Sequence, residues 1–204
     1  MIFHTTMSPY KSMESQNNEK ITKNAPIKEN FFKELIKFIV IALIIVIPLR
    51  AYIAQPFIVS GVSMDPTFIS GQYLIVDQVT YHFQAPKRED VIIMRYPRDP
   101  KTFFIKRIVG LPGETLSVKG GIMTVKSKNH PEGMKIDDSH AKKPVPTTDD
   151  FEITLGNTEY FVMGDNRRES SDSRVWGPLE EKYIVGRLLL SLLPFSRIGF
   201  LPGL

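Results

Sequence analysis

The 204-residue chain carries 26 lysines and arginines against 22 acidic residues, a net charge of +4, with 42% hydrophobic and 24% charged residues. That is room for one domain of about 150 residues plus an anchor. The mild basic excess, without a dense basic stripe interleaved with aromatics, excludes a nucleic-acid footprint. Cysteine is absent, which excludes disulfides, thiolate catalysis and zinc–thiolate sites.

Residues 1–34 are polar and show no sustained apolar period, which predicts a disordered tail. The character changes over 35–54, where Phe38 to Ile47 is unbroken hydrocarbon. Lys37 and Arg50 interrupt the wider window only near its ends, where long side chains can snorkel. About 20 residues suffice to cross a bilayer, so this segment is expected to be a transmembrane anchor. A cleaved signal peptide is the rival reading. Cleavage after Ala54 or Ala51 would put Tyr52 or Leu49 three positions back, and neither fits the small-x-small pattern such sites require. Lys20, Lys23, Lys28, Lys33 and Lys37 precede the segment, while Arg50 is the only basic residue between it and Lys87. The positive-inside rule therefore puts the tail in the cytoplasm and residues 55–204 outside.

Beyond the anchor the period becomes that of strands. Runs at 56–60, 71–76, 90–96, 101–109, 159–163 and 183–190 are β-branched or aromatic and bounded by Gly, Pro or charge. Residues 114–158 are polar, with Gly120-Gly121, His130-Pro131 and Pro144-Val145-Pro146, and read as hairpins and loops inserted at one end of the sheet. The expected fold is mainly β, in coiled antiparallel sheets, behind one amino-terminal helix.

Three stretches carry candidate chemistry. In Gly61-Val62-Ser63-Met64-Asp65-Pro66-Thr67, glycine and proline frame a serine on a sharp turn. A serine hydroxyl is a poor nucleophile until a neighbouring base takes its proton. In Phe103-Phe104-Ile105-Lys106-Arg107-Ile108-Val109-Gly110, strand alternation sets Phe104, Lys106 and Ile108 on one face. Apolar neighbours desolvate Lys106 and disfavour its charged form, as a lysine base requires. Arg107 cannot serve, because a guanidinium stays protonated. The third stretch, Gly164 to Gly177, is dense in charged and hydroxyl side chains. Arg167, Arg168 and the missing central glycine argue against a calcium loop. A Ser-His-Asp triad would need a histidine near Ser63; His4, His130 and His140 lie in the tail or the insert, leaving only His82. Trp176 reads as a packing residue.

In their order and separation these stretches closely resemble the type I signal peptidases, over roughly Gln55 to Leu201. Lys87-Arg88-Glu89-Asp90-Val91 and Arg197-Ile198-Gly199-Phe200 match family segments as well. The resemblance implies that Ser63 is the nucleophile, Lys106 its general base and Ser170 the serine that orients the lysine, with Asp172 and Arg174 as a supporting ion pair. It implies that Val59, Met64, Phe68, Phe104 and Ile105 line a shallow pocket that admits alanine. Some members carry a serine where this chain has Gly61, so an oxyanion here would rely on backbone N–H groups, foremost that of Ser63. The implied partners are signal peptides of exported preproteins and the phospholipid of a bacterial cell membrane, with no metal or organic cofactor. Two alternatives share part of the pattern. A self-cleaving Ser-Lys regulator would carry a DNA-binding head and no anchor, and a non-catalytic tethered β-module has no use for both Ser63 and Lys106.

Overall fold

The computed structural model describes residues 27–48, 54–143 and 150–203. Helix α1, Ile27–Pro48, covers the first part of the expected span, and the apolar side chains from Phe38 to Ile47 are exposed apart from Ala42. Among the described residues no helix is long and apolar enough to cross a membrane; Lys33, Glu34 and Lys37 interrupt α1. The expected span was drawn to Ala54, but Ala54 already stands in the first strand. Residues 49–53 between them, and the tail up to 26, lie outside the described residues.

The remainder is mainly β and antiparallel. Its strands are β1 (Ala54–Ile58), β2 (Tyr73–Asp77), β3 (Val91–Tyr96), β4 (Asp99–Gly110), β5 (Thr115–Lys119), β6 (Ile122–Lys126), β7 (Met134–Lys135), β8 (Phe151–Thr154), β9 (Glu159–Met163), β10 (Leu179–Glu180), β11 (Ile184–Leu193) and β12 (Gly199–Phe200). One sheet runs β1-β2-β11-β3-β4-β9-β10, with β12 also paired to β11, and a smaller one runs β7-β6-β5-β8.

Alternation along β3 explains how the larger sheet is buried on both faces. Val91 and Ile93 point into a cluster with Val59, Met64, Phe68, Leu74 and Ile105. Ile92 and Met94 point the other way, onto Ile108, Tyr160, Val162 and Leu179. The first cluster lies under the loop joining β1 to β2, and that loop holds Ser63. The 114–158 insert folds into the small sheet, and its core of Leu116, Val118, Met123 and Val125 is continuous with Val109, Phe161 and Met163 of the larger one. Trp176, in the one-turn helix α2 (Ser173–Trp176), packs against the second cluster and meets the Tyr96 ring edge-on at 6.2 Å.

Candidate active site

After β1 the chain stays extended through Val59, whose N–H donates to the Gln72 carbonyl and whose carbonyl accepts from Gly71 N–H. It then turns at Gly61, with φ +94°, a region glycine enters without a Cβ penalty. Tight bonds close the turn: Asp65 N–H to the Val62 carbonyl at 3.1 Å and Phe68 N–H to the Met64 carbonyl at 2.9 Å. Met64 and Phe68, each 1% exposed, anchor it in the core below. Ser63 is left facing outward over β4.

Lys106 comes up from β4 to meet it. A hydrogen bond of 2.9 Å joins Lys106 Nζ to Ser63 Oγ, and Nζ also donates to the Ile105 carbonyl at 3.0 Å. The amine lies 5.1 Å from the centre of the Phe104 ring. Lys106 is 3% exposed and forms no ion pair among the described residues. Burial therefore draws its pKa down to about 8 from 10.5, partly offset by the fields of Asp172 and Asp165. His82, by contrast, bonds the Gln78 carbonyl through Nδ1 at 2.9 Å on the exposed 80–82 turn; the partner of Ser63 is a lysine.

The segment after β9 locks the serine turn to β4. Asn166 N–H donates to the Ser63 carbonyl at 3.0 Å and Asn166 Nδ2 to the Val62 carbonyl at 3.2 Å. Asp165, fully buried, accepts from Thr67 Oγ1 at 2.6 Å and takes two bonds from Arg107, from Nε at 2.9 Å and Nη2 at 2.7 Å. Lys142 forms an ion pair with Asp65. One residue has no room to change. A Cβ on Gly164 would collide with Ser170 Oγ and the Ser63 carbonyl oxygen.

The supporting residues divide. Asp172 and Arg174 are paired, Nε to Oδ1 at 2.9 Å and Nη2 to Oδ2 at 2.9 Å, and Asp172 also accepts from Gly164 N–H at 3.1 Å. Ser170 Oγ is buried and has no hydrogen-bond partner among the described residues, so no bond joins it to Lys106 here. It is the neighbouring Ser171 that lines the groove at the dyad.

That groove, about 410 Å³, runs from the dyad between residues 57–62 and 103–106. Of the pocket residues expected from the sequence, Val59, Gly61, Phe104 and Ile105 line it. Met64 and Phe68 do not; they lie beneath the serine turn as core. Phe57 and Phe103, whose rings meet at 5.3 Å, and Ile58 also line it, on the two edges, 57–61 and 102–105, along which the sequence sets an extended substrate; Glu169 and Ser171 were not foreseen. The edge is open because β4 pairs with β9 only from Arg107 onward. Residues 103–106 are thus a free strand edge, and a groove along an edge is lined by side chains from both faces. Among the described residues no group of three or more His, Asp or Glu could hold a metal ion.

A serine hydroxyl held against a buried lysine amine, at the end of an open strand-edge groove, is the arrangement of a serine peptidase. The family model described as signal peptidase, peptidase S26, matches residues 32–193. Signal peptidase I P of Bacillus subtilis subsp. natto is 36% identical over 175 residues, covering 84% of this chain and 94% of that protein. Signal peptidase I T of Bacillus subtilis is 33% identical over 190 residues, covering 91% and 98%. A crystal structure of a signal peptidase I from Enterococcus faecalis superposes with a TM-score of 0.36 at 26% identity, over 52% of this chain and 97% of that one. The chain belongs to the signal peptidase family, peptidase S26.

Proposed function

We propose that this chain is a membrane-tethered serine endopeptidase that removes signal peptides from exported preproteins, with Ser63 as nucleophile and Lys106 as its general base. The observation that carries the reading is the 2.9 Å contact between Lys106 Nζ and Ser63 Oγ, made by an amine whose burial leaves it neutral in part near pH 8. In the neutral state its lone pair takes the Oγ proton as Ser63 attacks the scissile carbonyl. The Ser63 main-chain N–H, with no acceptor among the described residues, is available to the oxyanion. The ammonium then passes its proton to the leaving amine, which departs and leaves an ester on Ser63. Lys106, neutral again, deprotonates the water that hydrolyses it.

The substrate lies extended between residues 57–61 and 102–105, adding a strand whose main chain bonds to the free edges. Val59, Gly61, Phe104 and Ile105 surround its side chains up to the scissile bond, and Met64 and Phe68 shape that pocket from beneath. The Asp172–Arg174 pair positions the loop behind the base through the bond that Asp172 accepts from Gly164 N–H. In the cell, the apolar run of α1 and the residues following it tether the chain to the cell membrane, with residues 1–34 cytoplasmic and 55–204 on the outer face. The lysines before the run and their scarcity after it support this orientation. The deciding experiment is a preprotein cleavage assay in detergent. Wild type is expected to release the signal peptide and Ser63→Ala to release none; equal release by both would overturn the reading.

A further inference from the structure

The groove's polar lining contains one carboxylate, Glu169, and it comes from a different segment than the walls that embrace the substrate up to the scissile bond. Those walls are residues 57–61 and 103–105. Glu169 and Ser171 enter the groove from the loop after β9, the loop whose Asn166 grips the Ser63 and Val62 carbonyls. If the acyl half of the substrate runs along the walls, the half beyond Ser63 leaves past this loop. Glu169 is exposed and its main-chain N–H is fixed to the Asn166 carbonyl at 3.1 Å. Its carboxylate pairs with no cation among the described residues, although Arg168 is its neighbour. The acidic groups whose fields reach Lys106 are Asp172 and Asp165, so the charge of Glu169 is not spent on the base.

We infer that Glu169 reads the charge of the substrate just beyond the scissile bond, favouring a basic residue at the first or second position of the released chain and disfavouring an acidic one. The inference rests on the peptidase reading above and adds a specificity to it. During the reaction Lys106 must be neutral to begin, so at that stage Glu169 is the one formal charge lining the groove. A lysine or arginine leaving past it gains an ion pair, and an aspartate or glutamate meets like charge. Both terms belong to a solvent-exposed pair, so the effect is modest and screened by salt.

The test uses the full chain in detergent micelles and three synthetic peptides spanning one signal-peptide junction. They are identical except for Lys, Ala or Asp at the first residue after the scissile bond. Wild type is expected to give a kcat/KM for the Lys peptide about two- to fivefold above that for the Asp peptide at low ionic strength. The ratio should fall toward one as salt rises. It should also fall to one in Glu169→Gln and invert in Glu169→Lys, with most of the change in KM rather than kcat. The salt titration of wild type keeps the inference open to refutation even if a variant folds poorly. Cleavage of all three peptides by wild type at equal rates, or a ratio that Glu169→Gln leaves intact, overturns the inference and spares the peptidase reading. Failure to cleave any of them removes both.

Discussion

Lys106 can act as a base only while its surroundings keep it neutral, and the surroundings are specific: the Phe104 ring, the strand core and, among the described residues, no directly paired carboxylate. Activity is therefore expected to rise with pH through about 8, the value to which burial lowers this amine, as a kcat/KM profile of the free enzyme would report. The sign for stability follows from the same shift. Between about 8 and the ordinary 10.5 the unfolded chain binds more protons than the folded one, so folding stability gains from this group as pH rises through that window. Ser63→Ala and Lys106→Ala should each lower turnover by about 10⁴-fold or more. Lys106→Arg should not rescue it, since a guanidinium accepts no proton. Gly164 is the tightest position near the dyad. Gly164→Ala drives a methyl into Ser170 Oγ and the Ser63 carbonyl, and overpacking of this kind costs about 1–3 kcal/mol. Its larger effect should be on rate: a lower kcat at nearly unchanged KM, measured beside a thermal melt that still shows a folded protein. A Gly164→Ala enzyme with wild-type kcat would mean that the contact between the two segments does not set the position of the nucleophile.

Three separate pieces of chain meet at the site: the loop after β1, strand β4 and the loop after β9. The Arg107–Asp165 pair fastens the last two, and Thr67 and Asn166 tie in the first. Both partners of the pair are essentially buried, so Asp165→Ala would strand a guanidinium inside the protein. Chemical denaturation should show a loss of about 3–5 kcal/mol, whereas Lys182→Ala, whose ion pair with Glu180 is solvent-exposed on both sides, should cost far less. Equal losses would argue that the Arg107–Asp165 pair contributes no more than a peripheral one. The strands themselves were legible in the sequence, because β3, β4 and β9 are β-branched runs with clear turn punctuation. β7, β10 and β12 were not, being two-residue bridges that exist only through distant partners. Neither a framed turn nor a lysine among apolar residues singles out Ser63 or Lys106 alone; the order and separation of the three stretches, which resemble the signal peptidases, made the two legible together. Met64 and Phe68 were expected in the pocket, yet sequence spacing cannot distinguish a side chain beside a groove from one below it. Glu169 and Ser171 were missed because the approach of the loop after β9 to the groove depends on tertiary packing, which no local pattern states.

At the scale of the whole molecule, two apolar surfaces have no protein cover among the described residues. One is α1, with Phe38 at 71% and Ile44 at 66% exposure. The other belongs to the β-rich part, where Phe195 is 81%, Phe200 70% and Ile198 57% exposed around the β11–β12 pairing. Isolated exposed hydrophobics need no explanation, but a contiguous set rimmed by polar residues marks an interaction surface. Under the proposed membrane tether, lipid is the cover that suits both. The second surface can be tested without the first by removing α1 and the residues after it, since the three buried clusters are built only from residues beyond 55. A chain shortened to residues 55–204 should still sediment with phospholipid vesicles and should cleave preprotein faster when lipid or detergent is present. Transferring a phenylalanine side chain out of water is worth about 1.5–3 kcal/mol. Phe195→Ser with Phe200→Ser should therefore weaken vesicle binding by about 10²-fold or more, while cleavage of a short soluble peptide, which needs only the groove and the dyad, should stay near that of the unmutated domain. Vesicle binding unaltered by the double substitution would detach this surface from the membrane and leave α1 with the segment after it as the only tether.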